Sequence, residues 1–232
     1  MAGAAASSTT SATSTPWTST SSMMPRRSPS ATSWTATGRR TSVSARRRAT
    51  EMARTEVRFG GFGGQGIVLA GRLLGHAACI HGGRDAVLTQ AYGPEARGGA
   101  SNTDVIIADA PVDYPYVTHP DVLVVLFQEA CQRFESLLAP DGLMIVEADL
   151  VRPTREDVRI LAVPATRIAE ELGNRIVMNV VVLGFMLAVT RLVERDAVEA
   201  TLREMIAAKA LDLDLAALDA GYRLAAEQGV AA

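Results

Sequence analysis

Val57-Arg58-Phe59-Gly60-Gly61-Phe62-Gly63-Gly64-Gln65-Gly66-Ile67-Val68-Leu69-Ala70-Gly71-Arg72 is the stretch that decides the fold. Strand-forming residues enter a turn with five glycines in seven positions, and an apolar segment with helical spacing leaves it. Gly61, Gly63 and Gly66 fit G-x-G-x-x-G, in which glycine permits the sharp turn, the close approach of a phosphate to the backbone and the packing of helix on strand. Gly64 and Gln65 complete the turn, and the amides that open the following helix would face a bound anion. A dinucleotide site also places an acidic residue about 20 positions on, at the end of the second strand, to hold the ribose hydroxyls. Here that strand is expected at Ala86-Val87-Leu88-Thr89; it runs into Gln90, with Asp85 at its wrong end. The turn therefore suits a phosphate-sized ligand or a structural role better than NAD or FAD.

Downstream of the turn, Ile67, Leu69, Ala70, Leu73, Leu74, Ala77 and Ala78 make a broad apolar helix face. Gly71 and Gly75 would let another backbone come close, Gly82-Gly83 would cap the helix C-terminus, and His76 and His81 read as edge residues rather than ligands. Residues 90–102 follow without periodicity but with Tyr92, Glu95, Arg97, Gly98 and Asn102. A loop of this length is longer than most connections, which points to function. Arg97 could grip a carboxylate or phosphate in a bidentate fork, with Gly98 and Gly99 clearing the approach, or Glu95 and Arg97 could simply pair and stiffen the loop.

Strands are then expected at Thr103–Ala108, Asp121–Leu126, Leu143–Val146 and Val158–Val163, with an amphipathic helix from Gln128 to Ala139. This alternation predicts an α/β, Rossmann-like layered domain with a mostly parallel sheet and a helical C-terminal part. Helices are expected over Thr166–Leu172, about Arg175–Thr190, Arg191–Ala208 and Asp214–Ala226, with Asp214 as an N-cap. Ile176–Val189 is apolar apart from Asn179 and Gly184. A membrane span needs about 20 such residues, so this segment reads as a helix buried in the core or beneath another subunit.

Composition divides the chain. Residues 1–50 hold seven Arg, 23 Ser or Thr, and no Asp, Glu or Lys. Too few aliphatic side chains offset the entropy of ordering, so 1–51 is expected to be a disordered tail ahead of a domain spanning 52–232. It resembles a transit peptide in composition, and it could be a basic arm; Met52, directly before the first strand, makes a start outside the natural protein the preferred reading. Without these seven basic residues, the body carries 16 Lys or Arg against 25 Asp or Glu, which argues against nucleic acid as its partner. No apolar signal core is present, and a cytoplasmic location is expected. Cys79 and Cys131, far apart, cannot build an iron–sulfur or zinc site from this chain alone, and both read as buried thiols.

Taken together, Gly61-Phe62-Gly63-Gly64-Gln65-Gly66, Tyr92-Gly93-Pro94-Glu95-Ala96-Arg97-Gly98-Gly99, Pro120-Asp121-Val122-Leu123 and Asn179–Gly184 resemble the gamma subunit, or gamma domain, of 2-oxoacid:ferredoxin oxidoreductases over about residues 56–190. The long loop and Asp113-Tyr114-Pro115 look most like the 2-oxoglutarate type. The resemblance implies a subunit of an enzyme that decarboxylates a 2-oxoacid on thiamine diphosphate, passes electrons through iron–sulfur clusters to ferredoxin and releases an acyl-CoA. It further implies that thiamine diphosphate and the clusters belong to partner subunits, with this chain on the coenzyme A side. Gly61, Gly63, Gly64, Gln65 and Gly66 would be the anion-accepting turn, and Tyr92, Glu95, Arg97 and Gly98 the loop facing the active site or a partner. Where the family often has an Asn and an aromatic near its last helix, this chain has Asp214 and Leu218. A free-standing CoA- or nucleotide-binding module is the alternative, and it would have to cover the 176–189 helix within a monomer. An independent Rossmann oxidoreductase lacks both the ribose acid and a Tyr–Lys pair, since Lys209 is the only lysine.

Overall fold

The computed structural model describes residues 54–91 and 100–232. The expected tail 1–51 and the segment carrying Tyr92, Glu95, Arg97 and Gly98 lie outside them. Six strands form one sheet: β1 Arg54–Phe62, β2 Asp85–Ala91, β3 Ala100–Ala108, β4 Val122–Val125, β5 Leu143–Glu147 and β6 Arg159–Val163. Their spatial order is β2-β3-β1-β4-β5-β6. β1, β4, β5 and β6 pair in parallel, while β3 runs antiparallel to both β1 and β2. The expected α/β layering is therefore present, with one reversed strand inserted beside the glycine-turn strand.

Alternation along the central strands splits the core. Val57 and Phe59 of β1, Val122 and Val124 of β4, and Ile145 of β5 face one apolar layer. Leu123, Val125, Met144 and Val146 face the other, as the two-residue period of a strand requires. The first layer is covered by helices α1 Ile67–His76, α3 Ala165–Glu171, α4 Met178–Thr190, α5 Arg195–Met205 and α6 Ala208–Glu227. The second lies under α2 Gln128–Phe134, which tightens into a 3₁₀ turn at Glu135–Leu137 and so ends before the expected Ala139.

Helix α4 is buried from Met178 to Val189. Its cover comes from this chain: α6 crosses it so closely that a Cβ at Gly221 would lie 2.6 Å from Phe185 N, and one at Gly184 would lie 3.1 Å from Leu218 C. The backbone approach expected at Gly71 occurs here instead; Gly71 faces the side chain of Thr103. An apolar α4 is thus satisfied without a partner subunit, and it gives no argument for assembly. Asp214 does not cap a helix either. It lies inside α6, buried, and burial raises its carboxyl above the ordinary value. Among the described residues no helix is long and apolar enough to cross a membrane.

Candidate functional site

Gly64 and Gly66 take left-handed backbone angles, φ 94° and 76°, which only glycine adopts without strain. Gly66 is the N-cap of α1 and has no side chain to offer its amides. Gln65 closes the turn instead: its Oε1 accepts from Phe62 N at 2.7 Å, and its Nε2 donates to Leu126 O at 3.0 Å, at the end of β4. Asn179, the polar residue at the start of α4, donates from Nδ2 to Gly66 O at 3.0 Å. The turn is therefore latched to both the neighbouring strand and the buried helix.

The glycines are not equivalent. A Cβ at Gly61 would meet Gln65 Oε1 at 2.8 Å and Ile67 Cγ2 at 2.9 Å, and one at Gly66 would lie 2.8 Å from Asn179 Cγ. Internal packing accounts for these two, and backbone angle accounts for Gly64. Neither accounts for Gly63, where a Cβ would meet nothing within 4 Å and φ lies outside the left-handed region.

Two cavities flank the turn, of about 470 Å³ and 410 Å³, and share Phe62, Gly64 and Ile176 as a common wall. The larger adds Phe127, Leu150 and Arg175; the smaller adds Gly63, the first residues of α1, and Arg72. Phe62 and Phe127 stack at 5.4 Å between centroids, and Ile176 is 65% exposed. The first intrahelical bond of α1 is Ala70 N to Gly66 O, so the amides of Ile67, Val68 and Leu69 have no helical partner. No acidic residue stands in that first turn. The arrangement offers an anion free amides, the positive end of a helix and Arg72, beside an apolar wall.

Gly61, Gly63, Gly64, Gln65 and Gly66, expected as one anion-accepting turn, fall together at the junction of β1 and α1. Tyr92, Glu95, Arg97 and Gly98 lie outside the described residues, but the strand ends on either side of them do not: Ala91 pairs with Asn102, and Ala100 with Phe62. That segment thus leaves and re-enters the sheet at the end that carries the glycine turn. Asp113-Tyr114-Pro115 belongs to the β3–β4 connection at the opposite end, where Tyr114 and Tyr116 are exposed and meet edge to face at 5.5 Å. Sequence reasoning missed Phe127 and Ile176 as walls and Asn179 as a latch, although Asn179 interrupts an otherwise apolar run. Cys79 is exposed, not buried, on the widened helical turn that follows α1. Cys131 is buried, and burial together with Glu135 pushes its thiol up to about 12.

β1, turn and α1 follow the Rossmann-like strand–turn–helix pattern, but β2 lies two strands away from β1 behind the reversed β3, so the ribose-binding acid of a dinucleotide fold has no place beside it. The chain belongs to the pyruvate ferredoxin/flavodoxin oxidoreductase family, whose model matches residues 56–224. It is similar to the 2-oxoglutarate synthase subunit KorC of Methanocaldococcus jannaschii, 42% identical across 75% of this chain and 95% of that one. It is also similar to the ketoisovalerate oxidoreductase subunit VorA of Methanothermobacter thermautotrophicus, 37% identical across 76% of this chain but only 38% of that longer one. The solved gamma subunit of a keto/oxoacid ferredoxin oxidoreductase from Geobacter sulfurreducens PCA superposes with a TM-score of 0.70 at 37% identity, covering 78% of this chain and 99% of that one.

Proposed function

We propose that this chain is the gamma subunit of a cytoplasmic, thiamine-diphosphate-dependent 2-oxoacid:ferredoxin oxidoreductase that converts a 2-oxoacid of the 2-oxoglutarate kind to its acyl-CoA. Similarity over nearly the whole length of separate gamma-type subunits supports the subunit reading. Gly63, a glycine that neither packing nor backbone angle accounts for, carries the site reading. In this reading its missing side chain leaves room for a phosphate-bearing ligand, coenzyme A, or for the partner chain that holds it. The free amides of Ile67 to Leu69 and the Arg72 guanidinium would take the negative charge, and Phe62 and Ile176 the apolar part. Tyr92, Glu95, Arg97 and Gly98, between β2 and β3 in the sequence, would face the active site or a partner. Thiamine diphosphate and the iron–sulfur clusters would sit in partner subunits, and ferredoxin would be reached through the assembled complex.

The test is recovery of the tagged 232-residue chain from a native extract, scored for thiamine diphosphate, iron and 2-oxoacid-dependent reduction of a viologen dye. Recovery of all three is expected, with 2-oxoglutarate the best substrate. Isolation of the chain alone would overturn the subunit reading. With the complex in hand, Gly63→Val should leave assembly intact and lower turnover with coenzyme A about tenfold or more, the scale on which displaced reacting groups lose rate.

A further inference from the structure

Beyond α1 the helix widens into a π-helical turn over Ala77–His81. In an α-helix, residues five apart point about 140° away from each other; in a π turn, where backbone bonds run from i to i+5, they stack. His76 and His81 are five apart, and their rings lie 5.9 Å apart. Glu204, in the last turn of α5, reaches both: Oε2 lies 3.7 Å from His76 Nε2, and Oε1 lies 3.2 Å from His81 Nε2. One ligand atom from each of the three falls within 4.8 Å of the others. We propose that His76, His81 and Glu204 bind a divalent transition-metal ion of the zinc type, joining the end of α1 to α5.

Two imidazole nitrogens and one carboxylate are a donor set that zinc accepts with an open fourth position. Bonds of about 2.0–2.1 Å in a tetrahedron hold neighbouring ligand atoms about 3.3 Å apart; His81 Nε2 and Glu204 Oε1 stand at 3.2 Å, while His76 Nε2 lies 3.7 Å from the other carboxylate oxygen. The outer contact agrees. Thr201 Oγ1 donates its proton to Ala197 O at 2.9 Å, which leaves it an acceptor toward His76 Nδ1 at 3.4 Å. A proton held on Nδ1 by this contact would leave Nε2, the nitrogen on the Glu204 side, as the atom that meets a metal ion. This orientation of a ligating histidine by the partner of its other nitrogen is the usual supporting contact of zinc sites. His76 also borders a cavity of about 400 Å³ with Arg72, Cys79 and Met205, so the open position is within reach of a water or an anion.

Zinc titrated calorimetrically into the full 232-residue chain, previously dialysed against chelator, should bind at one site per chain. Tetrahedral cobalt absorption should appear when cobalt replaces zinc. His76→Ala, His81→Ala and Glu204→Gln should each weaken binding at least about tenfold, Thr201→Val about tenfold through loss of ring orientation, and Cys79→Ser and His119→Ala not at all. Circular dichroism checks that each variant folds. Absence of saturable binding overturns the site and leaves two histidine–carboxylate ion pairs. Equal binding by the His76→Ala/His81→Ala double variant overturns it as well, because the zinc would then sit elsewhere.

Discussion

On one face of the sheet α1, α4, α5 and α6 stack over an apolar layer, while on the other the short α2 covers a layer threaded with charge. Arg58 and Asp104 face each other across the β1–β3 register and pair through Arg58 Nε and Nη2 at 2.7 and 2.6 Å. Arg58 also donates to Val117 O at 2.8 Å and lies 5.2 Å from the Phe134 ring centroid, and Asn102 donates to Asp104 Oδ1 at 2.9 Å. Glu135 takes bonds from Thr154 N at 2.9 Å and Thr154 Oγ1 at 2.7 Å. The helical face contains buried carboxylates too: Glu147 accepts from Asp149 N and Leu150 N at 2.8 Å and from Thr166 N at 3.2 Å, whereas on Asp214 burial is the one cause at work. A buried carboxylate is held on either face where hydrogen bonds or an opposite charge meet it, as they do for Asp104, Glu135 and Glu147.

The sharpest way to break this comparison is Asp104→Ala. It strands a buried guanidinium and should lower stability by about 3–5 kcal/mol in denaturant unfolding. The double variant Arg58→Met/Asp104→Leu should recover most of that, because exchanging a whole ion pair for apolar groups is often neutral. A smaller effect is expected on the dense face: Gly221→Ala drives a methyl into the backbone of α4 and should cost about 1–3 kcal/mol. Gly63→Ala should change the unfolding free energy by less than about 0.5 kcal/mol, so similar losses at Gly63 and Gly221 would erase the distinction between packing and approach glycines. Asn179→Ala, which removes the latch on Gly66 O but leaves its bond from Ala70 N, should cost about 1 kcal/mol.

The two carboxylates should leave opposite marks on stability against pH. Burial works to raise Glu135, but the bonds from Thr154 and Arg155 prevail and hold it below the ordinary value. Its contribution is present above the unfolded-state value and lost as pH falls through the folded one. Glu135→Gln should therefore flatten the acid limb of the stability curve. Asp214 is raised, so the folded state keeps that proton more tightly; its contribution is present at acid pH and lost as pH rises through the folded value. Asp214→Asn should stabilise the protein at neutral pH by thermal melting and leave acid stability unchanged. Smallest of all, deletion of residues 1–51 should leave the melting temperature unchanged.

The glycine turn and the buried strands were legible in the sequence because their signals are local: positive φ demands glycine, and β-branched apolar runs mark strands with two covered faces. Strand direction is not local. Nothing in Thr103–Ala108 states that β3 runs against its neighbours, and only pairing with β1 and β2 sets it. Asp214 misled because an acidic residue ahead of an apolar run has the appearance of a cap, whereas α6 begins at Ala208. Asn179 stood out as the polar residue in an apolar helix, but its partner lies 113 positions earlier, a separation that periodicity cannot bridge.

The crossing of α4 and α6 also orders events in time. α4 leaves the ribosome before the helix that covers it, so for the span of chain between Thr190 and Glu227 an all-round apolar segment exists without its cover. Nascent chains stalled there should engage chaperones or aggregate. The apolar layer on this face therefore closes only after α6 has been made.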